Sequence, residues 1–258
     1  MIHATAIIHP GAELAEDVEI GPYAVIGGNV KIGKGTRVGP HAVVEGWTTI
    51  GEYNQIFQLA SVGAIPQDLK YKGEETYLKI GDRNTIREFS TINLGTVTGD
   101  GETTIGNDNL FMAYSHVAHD CHIGNSVIMA NAATLAGHIT VEDFANIGGL
   151  SAVHQFTRIG AHSMIGGGTL VGRDLPPFTI AATGGKRDAE LRGVNLIGLK
   201  RRGFSDDAIS SIKKAYLIFT SDIKTDDALA RIRADVPQTP EVQQFLAFVE
   251  SSQRGCIR

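Results

Sequence analysis

A large apolar residue, nearly always aliphatic, recurs at every sixth position over most of residues 2–171. The series runs from Ile2 to Val62, resumes from Ile80 to Ile92, and continues from Ile105 to Val171. An α-helix repeats every 3.6 residues and a β-strand every 2, so neither explains a sustained period of six. Each hexad is therefore interpreted as one short strand and one corner, and three hexads close a coil with the apolar side chains stacked inside.

Glycines often follow the repeat position, as at Gly51, Gly81 and Gly106. We expect these glycines to turn the corners, because glycine adopts positive φ without a Cβ clash. The period breaks near residues 63–79 and 93–104, which we predict to be loops inserted into a coil that spans residues 1–175. Long loops in compact folds are usually functional or disordered, so both are candidate site elements.

The six-residue period ends at Val171, and the sequence after it has helical patterns. Ser205 and Thr239 each precede a helical pattern as candidate N-caps, and Pro240 occupies a first helical position. The predicted fold is mainly β: a parallel β-helix of hexapeptide repeats over residues 1–175, followed by a C-terminal α-helical domain over residues 190–258.

Bulk properties exclude several classes of protein. The formal net charge of −5 argues against a nucleic-acid binder. Cys121 and Cys256 are too few for a disulfide framework and favour a reducing, cytoplasmic setting. The chain has neither a signal-peptide pattern at its start nor an apolar run long enough to span a membrane.

Three histidines, His116, His119 and His122, lie at intervals of three residues. This spacing suggests zinc, and a zinc-dependent hydrase on this scaffold is one alternative function. His116 and His122 are one hexad apart, however, so they lie on different sides of the coil and cannot converge within one chain. A metal site between subunits stays open, and a passive structural scaffold is a further alternative.

A coil of three hexads brings distant polar residues into vertical register. It places Gly137 and Gln155 above His119, and His138 above Asp120. A histidine is the natural general base near neutral pH, and an adjacent carboxylate can fix its tautomer. A glycine N–H in the next coil can meet a developing oxyanion. The sequence therefore predicts a catalytic patch on an outer face of the coil.

Several segments together resemble the UDP-N-acetylglucosamine O-acyltransferase family over nearly the whole chain: residues 67–71, 116–121, 133–138, 153–156, 198–204 and 254–258. The resemblance implies a left-handed coil and a homotrimer with each site between two subunits. It implies transfer of a (3R)-3-hydroxyacyl group from acyl carrier protein to the 3-hydroxyl of UDP-N-acetylglucosamine, the first step of lipid A biosynthesis. It implies no cofactor, no metal ligand and a cytoplasmic enzyme.

The resemblance also implies residue roles. It makes His119 the general base, Asp120 its orienting carboxylate and the Gly137 N–H the oxyanion donor. The remaining substrate-binding positions are Asp68 and Lys70 on the sugar and phosphate side, His116, His138, His154 and Gln155 along the sugar and acyl site, and Asn195, Arg201 and Arg202 at the nucleotide end. Gly167 matches a ruler for acyl length and implies a donor of about fourteen carbons rather than ten, each buried CH₂ being worth about 0.8 kcal/mol.

Two further features bear on the substrates. Residues 186–202 contain six basic and two acidic residues, which suits either a solvated helix face or a landing surface for an acidic carrier and a diphosphate. Asn93 and Leu94 stand where the family often has His-Arg, and Ile197 replaces a usual acidic residue. These departures leave open N-acylation of a 3-amino analogue of the same sugar nucleotide.

Overall fold

The computed structural model describes residues 1–184 and 189–258. Within these residues the chain forms the predicted left-handed parallel β-helix, followed by a small region of α-helices. Lys186, Arg187 and Asp188 of the basic stretch lie outside the described residues. No helix in the described ranges is long and apolar enough to cross a lipid bilayer.

The strands, numbered along the chain, form three sheets, one for each side of a three-sided coil. Sheet 1 contains β1 (Ile7–Ile8), β4 (Val25–Ile26), β7 (Val43–Val44), β10 (Ser61–Ala64), β13 (Thr91–Asn93), β16 (His116–Val117), β19 (Thr134–Leu135), β22 (Ala152–Val153) and β25 (Leu170–Val171). Sheet 2 contains β2 (Glu13–Leu14), β5 (Lys31–Ile32), β8 (Trp47–Ile50), β11 (Tyr77–Ile80), β14 (Glu102–Ile105), β17 (His122–Ile123), β20 (Thr140–Val141) and β23 (Arg158–Ile159). Sheet 3 contains β3 (Glu19–Ile20), β6 (Arg37–Val38), β9 (Gln55–Ile56), β12 (Thr85–Ile86), β15 (Leu110–Phe111), β18 (Ile128–Met129), β21 (Asn146–Ile147), β24 (Met164–Ile165), β26 (Thr179–Thr183) and the antiparallel β27 (Ala189–Val194).

Parallel pairing confirms the coil length. Val117 pairs with Leu135 and Leu135 with Val153, so equivalent residues of successive coils are 18 positions apart. The repeat residues point inward, and Phe111, Met129 and Leu135 are fully buried. The first coil is the exception: Ile2 is 52% exposed and Ile8 and Leu14 are only partly buried, because no coil lies beneath them.

The corners are turned differently from the sequence expectation. The residues with positive φ are mostly not glycines: Tyr114, Asp120, His138 and Phe156 have φ between 57° and 64°. Gly51, Gly81 and Gly106 do not have positive φ, so that prediction was wrong. A Cβ on Gly51 would lie 2.7 Å from the carbonyl oxygen of Gly81, and a Cβ on Gly81 would lie 2.7 Å from that of Gly106. These glycines therefore permit close stacking of successive coils.

Both insertions leave the coil at the same place. The first lies between β10 and β11, at residues 65–76, and the second between β13 and β14, at residues 94–101. Both therefore project from the corner that joins sheet 1 to sheet 2, which we call corner 1. His119, Asp120 and His138 also lie at corner 1, between β16 and β17 or between β19 and β20.

Four helices follow the coil in the described part of the chain: α1 (Leu196–Arg201), α2 (Asp206–Phe219), α3 (Thr225–Asp235) and α4 (Pro240–Glu250). The predicted caps are present, with the Ala208 N–H donating to Ser205 Oγ and the Val242 N–H to Thr239 Oγ1. The C-terminal segment then returns to the coil, where Cys256 bridges to Asp174 and Ile257 is buried in the core.

Candidate active site

A histidine–aspartate pair occupies corner 1. The His119 Nδ1 atom lies 2.8 Å from Asp120 Oδ2, and the side chains are 15% and 1% exposed. Asp120 has a φ of 57°, and this left-handed turn makes the corner at which the two consecutive side chains meet. The pair therefore combines a partly accessible imidazole with a carboxylate that is closed to solvent.

The Asp120 carboxylate is held as an anion. Burial alone would raise the pKa of Asp120, but hydrogen bonds from His119 and from Thr96 lower it below its ordinary value. Thr96 donates its backbone N–H to Oδ1 over 2.9 Å and its hydroxyl to Oδ2 over 2.6 Å. A charged carboxylate only accepts, so the hydrogen of His119 lies on Nδ1 and Nε2 is left free to accept a proton.

Gly137 lies against the His119 ring, one coil along. A Cβ there would lie 2.6 Å from His119 Cε1 and 2.8 Å from Nε2, so only glycine leaves room for the imidazole in this position. The Gly137 N–H has no hydrogen-bond acceptor among residues 1–184 and 189–258. A free proton acceptor and a free N–H donor are thus adjacent. The acceptor suits a general base, and the donor suits stabilisation of a tetrahedral oxyanion.

His138 flanks the pair. Its Nδ1 lies 3.8 Å from Asp120 Oδ2, and its ring stacks on Phe156 at a centroid distance of 4.5 Å. Burial lowers the pKa of His138 more than the nearby Asp120 raises it. His138 is therefore neutral at neutral pH and suited to hydrogen bonding.

A cavity of about 540 Å³ opens beside this group. Corner 1 supplies His119, His138, Gln155 and Phe156 to its wall. The first insertion supplies Gln67 to Lys70, and the second supplies Thr98. Within the first insertion, Asp68 Oδ1 accepts the Lys70 N–H over 2.9 Å, which makes a local turn at the wall of the cavity. The structure thus brings Asp68, Lys70, His119, Gly137, His138 and Gln155 together at corner 1.

His116 and His154 flank this cavity without lining it. His116 is half-buried on sheet 1, where its Nδ1 lies 2.7 Å from Thr91 Oγ1. Burial, and then the neighbouring His119, lower the pKa of His116. His154 is exposed next to Gln155, and its Nδ1 lies 3.4 Å from the guanidinium of Arg254.

The residues predicted for the nucleotide end lie at another corner of the same chain. Asn195 caps α1 and donates its side-chain amide to the His162 carbonyl over 2.9 Å. Arg202 lies over the Phe144 ring at 4.2 Å. Phe144 and His162 belong to corner 2, which joins sheet 2 to sheet 3. Exposed Arg201 ends α1 beside Arg202, so this group is separate from His119 within one chain.

Gly167 lies at corner 3, which joins sheet 3 to sheet 1. A Cβ on Gly167 would meet only the Gly149 carbonyl oxygen, at 3.3 Å, so its outer side is open. The candidate residues are thus divided among all three corners of the prism. The corner 1 group lines the cavity described above.

The three evenly spaced histidines were the candidate metal ligands in the sequence. His116 is in β16 and His122 in β17, so the three evenly spaced histidines do not converge. His122 instead contacts Thr104 and, through Nε2 at 2.9 Å, Asp100. Ligand atoms of His119, Asp120 and His138 lie within 4.8 Å of one another, but His119 Nδ1 is already hydrogen-bonded to Asp120.

Sequence reasoning missed Thr96 and Phe156. Phe156 follows His138 by the coil period, so the 18-residue step from Asp120 through His138 would have found it. Thr96 lies inside the second insertion, 24 residues from its partner Asp120. No periodic rule relates those two positions.

Comparisons with known proteins show the family to which the chain belongs. The family described as UDP-N-acetylglucosamine O-acyltransferase, domain 2, matches residues 174–257, and the bacterial transferase hexapeptide family matches residues 1–34 and 102–137. An acyl-[acyl-carrier-protein]–UDP-N-acetylglucosamine O-acyltransferase of Trichlorobacter lovleyi is 63% identical, over 100% of this chain and 99% of the relative.

Solved structures give the same result. The structure of LpxA from Acinetobacter baumannii is 44% identical, with a TM-score of 0.94 over 100% of this chain and 99% of the other. LpxA from Bacteroides fragilis, a UDP-N-acetylglucosamine acyltransferase, is 44% identical, with a TM-score of 0.95 over 100% of both chains. The chain belongs to the acyl-[acyl-carrier-protein]–UDP-N-acetylglucosamine O-acyltransferase family.

We predict that Gly137→Ala displaces the His119 ring. The added methyl group would lie 2.6 Å from Cε1, so the ring must move and lengthen its hydrogen bond to Asp120. Histidine ¹⁵N shifts of labelled protein report this loss at Nδ1. Gly172→Ala is the control, because a Cβ there meets nothing within 4 Å. Unchanged His119 shifts in Gly137→Ala would contradict the close-packing argument.

Proposed function

We propose that this protein transfers a (3R)-3-hydroxyacyl group from acyl carrier protein to the 3-hydroxyl of UDP-N-acetylglucosamine, the first step of lipid A biosynthesis. The observation that carries the proposal is the His119–Asp120 pair, 2.8 Å apart, beside the free N–H of Gly137. Relatives 52–63% identical over the full chain bear the name of this activity.

The residues perform the transfer as follows. His119 Nε2 takes the proton of the sugar hydroxyl while that oxygen attacks the thioester carbonyl carbon. Asp120 stabilises the resulting imidazolium, and the Gly137 N–H donates to the oxyanion of the tetrahedral intermediate. The intermediate collapses with cleavage of the C–S bond, and the imidazolium returns its proton to the departing thiolate. An ester and a free thiol result, with no net change in protons.

The insertions and flanking residues bind the acceptor in this proposal. Asp68 faces the cavity and accepts from sugar hydroxyls, while Lys70 offers a cation to the phosphates. His138 and Gln155 line the sugar and acyl path, with His116 and His154 at its margins. The residues themselves supply every step, so the proposal needs no cofactor.

We also propose a homotrimer in which each site combines two chains. The supporting observation is the separation of His119 at corner 1 from Asn195, Arg201 and Arg202 at corner 2. Corner 3 also carries an exposed apolar ladder, whose large members are 42–75% exposed in the single chain: Tyr23, Leu59, Phe89, Tyr114 and Leu150. An exposed ladder of this length marks a subunit contact.

A cytoplasmic location is part of the same proposal. Cys121 and Cys256 are both free thiols. Burial raises the pKa of Cys121 to about 12 and that of Cys256 to about 11, so neither is a reactive thiolate. Two free thiols without a disulfide suit a reducing compartment.

Asn93 supports a second candidate, N-acylation of the 3-amino analogue. Its side-chain amide donates to the carbonyls of Ala64 and Ile65, which fixes the orientation of the group. Asn93 Oδ1 is closed to solvent and has no hydrogen-bond partner among the described residues. Leu94 is fully buried in the core and does not face the site, whereas Ile197 is 68% exposed. The replacement of a basic pair by Asn93 and Leu94 is therefore the observation that supports the 3-amino sugar nucleotide as a second candidate acceptor.

Transfer assays with both sugar nucleotides test the function. We predict acyl transfer to UDP-N-acetylglucosamine, reduced roughly 10²–10⁴-fold in His119→Ala because the general base is lost. His9→Ala, an exposed histidine of an early coil, is the matched control. Preference for the 3-amino sugar would establish the second candidate. Near-normal turnover in His119→Ala would exclude the base assignment, and zinc-dependent CO₂ hydration without transfer would favour the hydrase.

Mixed assemblies test the shared site. We predict that His119→Ala and Arg201→Ala chains, each inactive alone, regain activity when dissociated and reassembled together. With random mixing, about a quarter of sites would combine two intact halves. Sedimentation of the wild-type chain as a monomer, or no recovery in trimers shown to be mixed, would contradict the shared site.

Gly167 is proposed as the acyl ruler. We predict that the wild type prefers a long 3-hydroxyacyl donor and that Gly167→Met shifts the preference to a ten-carbon donor by filling the open groove. Four buried methylenes are worth about 3 kcal/mol, or about two orders of magnitude. Gly167→Ala should give an intermediate preference. Competition assays with mixed donors measure it, and an unchanged preference in Gly167→Met would reject the ruler.

A further inference from the structure

The second insertion reaches back to the catalytic pair. Thr96, at its start, is 2% exposed and contacts both oxygens of Asp120. Its N–H donates to Oδ1 over 2.9 Å, and its hydroxyl donates to Oδ2 over 2.6 Å. These are hydrogen bonds to a charged group, the stronger class in proteins. Thr96 therefore acts on the carboxylate and not on the cavity directly.

The Asp120 carboxylate has two histidines within reach. Its Oδ2 atom lies 2.8 Å from His119 Nδ1 and 3.8 Å from His138 Nδ1. The two rings meet edge to face, with centroids 5.0 Å apart. The same oxygen is thus closer to His119 than to His138, so a small rotation of the carboxylate would change which histidine it contacts. Another contact must therefore hold the carboxylate in the orientation that faces His119.

The insertion fixes that rotation from behind. Donors on both oxygens from a single residue define the plane of the carboxylate. A Cβ on Gly99 would lie 2.4–2.7 Å from the carboxylate atoms, so the insertion backbone packs directly against the group. The Asp120 N–H donates to Thr103 Oγ1 over 2.9 Å, which fixes the main chain as well.

The insertion is itself held closed. The N–H groups of Gly99 and Gly101 both donate to the Thr96 carbonyl, over 3.1 and 3.0 Å. Asp100 near its end lies 2.9 Å from His122 Nε2, which ties the segment to sheet 2. Thr96 is thus presented by a closed loop with contacts on two sides of corner 1.

We propose that Thr96 is a positioning residue that assigns the Asp120 carboxylate to His119 and withholds it from His138. The inference rests on the proposed function of His119 as the base. With Asp120 turned to His119, the His119 hydrogen is fixed on Nδ1 and Nε2 faces the acceptor. With Asp120 turned to His138, His119 would lose its fixed tautomer and the partner of its imidazolium.

Thr96→Val tests the proposal, because it keeps the branched shape and the N–H but removes the hydroxyl. We expect kcat to fall roughly 10–100-fold with KM for both substrates unchanged, as for loss of one hydrogen bond to a charged group. Thr96→Ser should restore most of kcat. In the free enzyme, ¹⁵N shifts should show a mixture of His119 tautomers in Thr96→Val and a single Nδ1–H form in wild type and Thr96→Ser.

Two further variants separate positioning from folding. Thr36→Val is the matched control, since Thr36 is equally buried and its hydroxyl donates to the Gly51 carbonyl, far from corner 1. Gly99→Ala should reproduce the Thr96→Val phenotype by pushing the carboxylate, and it decides the case if Thr96→Val does not fold. The idea is overturned if the His119 tautomer and kcat are unchanged in the folded variants, or if KM alone rises. The tautomer measurement needs no substrate, so it stands apart from any failure of the proposed reaction.

Discussion

The packing of each coil on the next is the interaction on which the rest of this structure depends. A single three-sided coil cannot bury its inward residues, because its top and bottom are open. Val117, Leu135 and Val153 become buried only as consecutive members of one stack. Stability in such a solenoid is approximately a sum over neighbouring repeats. Ile2, at the open end of the stack, lacks a neighbouring coil on one side and is therefore exposed.

The fixed register also builds the site. Outward residues 18 apart lie in columns at the spacing of a parallel sheet, about 4.8 Å. His119 therefore lies against Gly137, and Asp120 approaches His138, without any special loop to bring them together. The insertions add what a regular coil cannot supply, namely groups that come from outside the column. Asp68 and Lys70 cover the cavity, and Thr96 fixes the carboxylate from behind.

Much of this was predictable from the sequence, for a physical reason. An inward position repeated every six residues predicts a three-sided coil, its length and its columns, so the pairing of His119 with Gly137 followed from spacing. The left hand of the coil followed only from the family resemblance. The role of the glycines did not follow. Gly51 and Gly81 relieve contact between coils, while residues such as Asp120 and His138 take the positive φ, and the hexad pattern does not distinguish these uses.

Other features needed coordinates. Thr96 meets Asp120 through the closure of an irregular loop, and closure has no sequence period. The burial of Leu94 was hidden for the same reason, because the strand irregularity at Ala64 and Asn93 shifts the residues that follow. The division of candidate residues among three corners follows from the coil, but only the placement of α1 shows which corner receives Asn195 and Arg202.

The coils that carry the insertions return to register. Ile50 pairs with Ile80 and Ile80 with Ile105, so coils of 30 and 25 residues stack on coils of 18 without disturbing their neighbours. Lengthening a flexible loop costs little, roughly 0.6 kcal/mol for each doubling. Corner 1 is therefore a position in the coil at which evolution can lengthen, shorten or replace the segments that contact the substrates. The scaffold, and the base mounted on it, can stay constant while acceptor and donor change.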